Sequence, residues 1–167
     1  MIASIHGPAV GAGLCLAMAT DLRIAATTAK LGVNFTRLGL SSGLGASFFL
    51  PKLVGPQNAT EMLLTGRLMS GVEAFEKQLV LQAVPPLPPT EPCSVFQASL
   101  SLAEQIALSA PKAVRITLHS IRESLSLGLS EALTREADGQ SHTFPTLDLK
   151  EGMTSIIEHR SPRFIDA

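Results

Sequence analysis

The run Gly11-Ala12-Gly13-Leu14-Cys15-Leu16-Ala17-Met18 sets a glycine-rich turn directly against an apolar segment. Glycine accepts positive φ and has no Cβ, so such a turn bends tightly and lets a ligand carbonyl approach backbone N–H groups. The chemistry on offer is stabilisation of a developing negative charge by main-chain donors. The competing reading is a turn that the fold needs for its own sake. A dinucleotide fingerprint, G-x-G-x-x-G, fails at its third glycine, where the chain has Leu16.

Titratable side chains around this turn are few. Cys15 lies in the apolar segment and reads as a small hydrophobe rather than a nucleophile, since no histidine neighbours it in sequence. His6 precedes the turn and suits local hydrogen bonding. His119, His142 and His159 fall on helical segments without H-x-x-x-H spacing, so no metal site is expected. Asp21 and Arg23 close the apolar segment, where a carboxylate and a guanidinium can satisfy backbone groups or one another. Glu61 and Glu73 are the next acids along the chain and read as solvated charge on surface helices.

The 167 residues have the length of one domain. A formal charge of −1 leaves no electrostatic footprint for nucleic acid or an anionic membrane, and neither partner is expected. Apolar residues at 46% against charged residues at 16% are rich for a small monomer, which points to subunit interfaces or to core left uncovered by a missing half. Two cysteines, Cys15 and Cys93, make no framework of bridges and fit a reducing compartment. The uncharged opening lacks a basic n-region and contains Gly7-Pro8, so it reads as buried strand and helix rather than a targeting or spanning segment.

The elements that must position the turn follow from periodicity and punctuation. Residues 2–5 suit a strand, 14–20 a helix buried on most sides, 22–25 a second strand and 33–35 another extended piece. Residues 43–50 read as a helix stopped by Pro51, 57–64 as another with Gly66 beyond its end, and 72–78 as a third before a strand at 80–84. Pro85-Pro86-Leu87-Pro88-Pro89-Thr90-Glu91-Pro92 forbids helix and reads as a linker. Beyond it, 94–108, 111–127, 130–142 and 149–159 have helical spacing, the third opening at Ser130-Glu131. The organisation is therefore an α/β core over 1–84, a linker over 85–92 and a helical region over 93–167.

Several blocks carry a resemblance. They are Ile2-Ala3-Ser4-Ile5-His6-Gly7-Pro8-Ala9-Val10-Gly11-Ala12-Gly13, then Gly32-Val33-Asn34-Phe35, Gly39-Leu40-Ser41-Ser42-Gly43 and Leu64-Thr65-Gly66-Arg67. The close is Asp148-Leu149-Lys150-Glu151-Gly152-Met153, then Glu158-His159-Arg160-Ser161-Pro162-Arg163-Phe164. In this order they resemble the crotonase superfamily, the enoyl-CoA hydratases and isomerases. The resemblance implies an α/β, crotonase-like core, the spiral of β-β-α units of the ClpP/crotonase type. That core is expected to be N-terminally truncated, since family members are longer and carry one oxyanion donor and much of the CoA surface before this stretch. It implies an acyl-CoA thioester as substrate, no separate cofactor, and an all-helical C-terminal region that assembles homotrimers or hexamers. The class is cytoplasmic or mitochondrial-matrix.

The resemblance also assigns residues. Ala12 takes the position of a backbone oxyanion donor, flanked by Gly11 and Gly13, and Phe35, Leu38 and Leu40 become candidates for an acyl pocket or for core. The two family glutamates fall on Cys15 and Phe35, and no carboxylate stands in residues 39–43. A general acid or base typically contributes 10²–10⁴-fold in rate. Two functions are therefore carried forward: an enoyl-CoA hydratase/isomerase that acts on or binds acyl-CoA thioesters, and a catalytically inactive crotonase-fold binding or assembly protein. A carboxylate reaching Ala12 from elsewhere would separate them.

Overall fold

The computed structural model describes residues 1–85 and 94–166. In chain order these form β1 (Ile2–Ile5), β2 (Ala9–Val10), α1 (Ala12–Met18), β3 (Leu22–Ala26), β4 (Lys30–Gly32), a 3-10 helix (Phe35–Leu38) and α2 (Ala46–Thr65). There follow β5 (Met69–Ser70), α3 (Gly71–Glu76), β6 (Gln82–Val84), α4 (Ser94–Ala107), α5 (Pro111–Ser124), α6 (Leu129–Ser141) and α7 (Leu147–Ile157). The chain divides into two compact units, Met1–Leu102 and Ala103–Ala167, with the boundary inside α4. Cys93 and the proline-rich stretch beyond Pro85 lie outside the described residues.

The first unit is built on two three-stranded sheets. In one, β1 and β6 flank β3 and all pairings are parallel, with Ile2 opposite Leu22 and Ile24 opposite Gln82. Parallel strands are normally covered on both faces, and the buried run Arg23, Ile24, Ala25 and Ala26 has that character. In the other, β4 pairs parallel with β2 and antiparallel with β5. Leu14, Ile24, Leu31, Leu50, Met62 and Leu79 are completely buried in the core of this unit. Each such side chain contributes about 1.5–3 kcal/mol of hydrophobic stabilisation.

The departures from the expected elements are local. The extended piece expected at 33–35 is displaced: the strand is Lys30–Gly32, and Phe35 opens the 3-10 helix. Gly32 is needed there, because a Cβ would lie 2.6 Å from Leu68 Cδ2 and 2.8 Å from the Arg67 carbonyl oxygen. Pro51 does not stop α2, since a missing N–H withdraws one helical bond without ending the element. The interruption is Gly55, at φ 75° and ψ 161°, just before Pro56, whose ring disfavours helical geometry in the preceding residue. Helix α6 starts one residue earlier than Ser130-Glu131 suggests, at Leu129: Gly128 caps it, and its N–H donates to Glu131 Oε2 at 3.2 Å. Helix α1 is buried on one side only, because Leu16 is exposed.

The second unit is helical, and no residue of α5 is buried. Its end is tied down by carboxylates of the closing motif. The Thr146 hydroxyl caps α7 by accepting the Leu149 N–H at 3.2 Å. Buried Asp148 accepts the Ile165 N–H at 2.8 Å and the Asp166 N–H at 3.1 Å. Glu151 takes Arg160 Nη1 and Nη2 at 2.6 and 2.8 Å and the Arg163 N–H at 2.7 Å. Arg160 first, then the Arg163 N–H, holds the Glu151 carboxyl down to about 2. Gly152 leaves that face of α7 open to the Phe164 ring.

Two predictions follow from this packing. A Cβ on Gly71 would sit 1.9 Å from the Ala26 carbonyl oxygen, which is backbone and cannot swing aside. Gly71→Ala is expected to cost about 2–3 kcal/mol, the range of an overpacked core, read as a lowered urea midpoint by circular dichroism. Asp148→Ala is expected to strand two amides and cost about 1–3 kcal/mol. Hydrogen exchange at Ile165 and Asp166 should accelerate with it, and unchanged protection of those amides would refute the clamp.

Candidate functional site

The glycine turn is held from both sides. Gly11 adopts φ 56° and ψ −117°, a conformation open to glycine, and its N–H donates to the Gly32 carbonyl at 2.9 Å. Its carbonyl in turn accepts the Cys15 N–H at 3.1 Å, the first bond of α1. Ala12 and Gly13 therefore occupy the first helical turn, where the helix itself supplies no acceptor for their N–H groups, and both residues are exposed.

The two positions assigned to family glutamates converge on this turn. Phe35 Cε1 lies 3.9 Å from where a Gly11 Cβ would stand, and Asn34 Oδ1 lies 3.2 Å from the same point. Cys15 is 2% exposed and its thiol donates to the Gly43 carbonyl at 3.8 Å, which ties the 39–45 loop to α1. Burial pushes the Cys15 thiol up from its ordinary range, with its backbone hydrogen bond acting weakly the other way. It stays protonated and structural at neutral pH, as the apolar segment suggested. Leu38 and Leu40 do not fill core: both are exposed, whereas Phe35 packs partly against it.

Asp21, Glu61 and Glu73 sit away from the turn or are engaged by arginine. Asp21 lies beyond the far end of α1, about 10 Å of helix from Ala12. Arg23 is buried and satisfies backbone, with Nε to the Leu79 carbonyl at 2.8 Å and Nη1 to the Thr20 carbonyl at 2.7 Å. Burial lowers its pKa and Asp21 raises it. Glu61 and Glu73 are not independent solvated charges, because both grip Arg67. Nη1 reaches Glu73 Oε2 at 2.9 Å and Nη2 reaches Glu61 Oε2 at 3.2 Å. Arg67 holds Glu73 below the usual carboxylate range. That pairing stabilises the fold above the ordinary carboxylate pKa and is lost as pH falls through the depressed one. Nothing in residue spacing signals this clamp, since each glutamate is six residues from the arginine. His6 is exposed, and among the described residues no group of histidine, cysteine and acidic side chains is arranged to hold a metal.

Across its full length, residues 1–167, the chain matches the Enoyl-CoA hydratase/isomerase family. It belongs to that family. The mitochondrial enoyl-CoA hydratase domain-containing protein 2 of Mus musculus is 37% identical over 98% of this chain and 55% of its own length. The crotonyl-CoA hydratase of Syntrophomonas wolfei is 36% identical over 99% of this chain and 61% of its own. The crystal structure of enoyl-CoA hydratase from Bacillus anthracis superposes with a TM-score of 0.92 at 34% identity, covering 99% of this chain and 62% of that one. The chain thus has the crotonase-like fold and spans a little over half the length of the relatives it matches. No helix among the described residues is long and apolar enough to cross a membrane.

The buried thiol gives the test of this geometry. Alkylation of Cys15 in native protein, followed by peptide mass spectrometry, is expected to run at least tenfold slower than in urea, because the thiolate is disfavoured and covered. Equal rates would mean that Cys15 does not seal the loop against α1.

Proposed function

We propose that this chain is the part of an enoyl-CoA hydratase/isomerase-type protein that takes up acyl-CoA thioesters and polarises their carbonyl at the Ala12 N–H. One observation supports the reading above the others: Gly11 is pinned between β4 and α1, and the exposed Ala12 and Gly13 that follow it open the helix beside Phe35 and Cys15. A donor preorganised on backbone needs no rearrangement as charge develops, and one such donor is worth roughly 2.7–4 kcal/mol in a hydrolase. The reading expects the second donor from a segment that family members carry before this stretch.

The proton-transfer half of the chemistry needs a group from outside Cys15 and Phe35, because a protonated buried thiol and a phenyl ring supply none. Those two side chains are also the specific observation in favour of a second reading, a crotonase-fold protein that binds thioesters or assembles without turning them over. Assembly into homotrimers, or pairs of trimers, is part of the proposal. The support for it is the exposure of Leu125, Leu129, Leu133, Phe144, Ile156 and Ile157 in a unit whose helix α5 buries nothing. The proposed compartment is the cytoplasm or the mitochondrial matrix, supported by a Mus musculus relative whose name is mitochondrial.

Calorimetric titration with crotonyl-CoA and with CoA, then a hydration assay on the same sample, tests the function. Saturable binding of crotonyl-CoA is expected. Ala12→Pro keeps a residue tolerated at the first helical position while deleting its N–H, and is expected to weaken crotonyl-CoA relative to CoA by about tenfold. Turnover by the unaltered chain would place the acid on another segment or subunit, whereas binding without turnover supports the second reading. Absence of binding refutes the first reading and the thioester-binding form of the second, leaving assembly alone.

A further inference from the structure

Asn34 stands beside the glycine turn with its side chain unspent. An asparagine that opens a helix ordinarily accepts one of the first N–H groups of that helix, yet Asn34, at the start of the 3-10 helix, makes no such bond. Among the described residues its carboxamide has no hydrogen-bond partner. Its main chain, by contrast, is held. The Arg37 N–H donates to its carbonyl at 3.2 Å, and its Cα lies 3.3 Å from where a Cβ on Gly66 would stand. Buried Val33 precedes it, and Asn34 itself is half-buried. From that fixed base, Oδ1 comes 3.2 Å from the point where a Gly11 Cβ would stand. Apart from the chain neighbours of Gly11, the described residues bring two groups within 4 Å of that point, this oxygen and the Phe35 ring. The carboxamide is the polar one of the two.

We infer that Asn34 is a specificity-determining residue that favours thioesters bearing a hydroxyl on the third carbon of the acyl group over those without one. The inference rests on the acyl-CoA reading above and deepens it. A carboxamide donates and accepts at once without carrying a charge, so its match is a neutral group that does both, as a hydroxyl does. Gly11 is joined directly to Ala12, whose N–H is proposed to hold the carbonyl. The group that Asn34 meets therefore stands only a few bonds from that carbonyl, which is where a 3-hydroxyl lies. An acyl chain bound there covers the carboxamide, and the Phe35 ring offers it no partner. Discrimination follows because a covered polar group is left unpaired unless the ligand brings a partner of its own.

The test is calorimetry with CoA, butyryl-CoA and the two enantiomers of 3-hydroxybutyryl-CoA, on this chain and on Asn34→Ala. The side chain bonds nothing in the fold, so the variant is expected to keep its melting temperature. One enantiomer is expected to bind about fivefold tighter than butyryl-CoA, the worth of one hydrogen bond, since a fixed group meets the hydroxyl of one hand only. Asn34→Ala should erase that margin by weakening the hydroxyacyl thioester rather than by strengthening butyryl-CoA. Equal binding of all the acyl thioesters to the unaltered chain overturns the inference and leaves the acyl-CoA reading standing. Binding of none overturns that reading and the inference with it. A margin that survives Asn34→Ala overturns the assignment to Asn34. So does a variant that loses butyryl-CoA and 3-hydroxybutyryl-CoA in equal proportion, which would mark Asn34 as a support for the turn.

Discussion

The structure depends on Gly11. One residue, in a conformation that side chains resist, donates to β4 through its N–H and opens α1 through its carbonyl. That pair of bonds fixes where the strand ends, where the helix begins and which way its first N–H groups face. A Cβ there would meet Asn34 Oδ1 at 3.2 Å as well as strain the backbone, so the geometry is specified twice. The rest of the first unit holds that turn still. Leu14, Cys15, Ala17 and Met18 bury one side of α1 against the core, and the exposed remainder presents Ala12, Gly13 and Leu16.

Much of this was legible because the signals were strong and local. The glycine turn, β1, β3, the helical second unit and the end of α2 at Gly66 all rest on composition or punctuation that survives folding. What escaped was short or non-local. Strands β2 and β5 have two residues each, too few to show a period, and exist only because β4 lies between them. Proline was overread at position 51, where a helix loses one bond, while the glycine four residues on does the bending. At the site, the sequence order set Cys15 and Phe35 against the turn and left Leu38 and Leu40 undecided between pocket and core; the Phe35 ring lies beside Gly11, and both leucines are exposed. The Arg67 clamp was invisible because it joins the last turn of α2 to α3 through a residue between them.

The same physics explains why the closing motif looks so specific. Asp148 and Glu151 are three residues apart on α7, so they share a face, and each accepts a main-chain N–H from the returning tail. A carboxylate accepts several hydrogen bonds at once, which an amide or hydroxyl at these positions would not match. The pattern of acids is therefore a device for ordering backbone without secondary structure. Its chemistry in this unit is that of a cap, because its acids bond backbone N–H groups and arginine.

Catalysis by this family, as read from the turn, separates into two physical jobs with different material requirements. Polarising a carbonyl asks only for an N–H held in place, and any residue type except proline can supply it because the donor is backbone. Moving a proton asks for a titratable side chain within reach, so it depends wholly on residue identity. The first job survives any fold-preserving substitution that keeps the N–H, whereas the second is lost with one atom group. In the proposed reading Cys15 and Phe35 hold the two places where identity would count, and both are packed: a thiol bonded to the loop and a ring laid beside the glycine. Both side chains pack at the turn rather than offering a titratable group. That reading therefore asks the fold to bring any proton-transfer group from elsewhere.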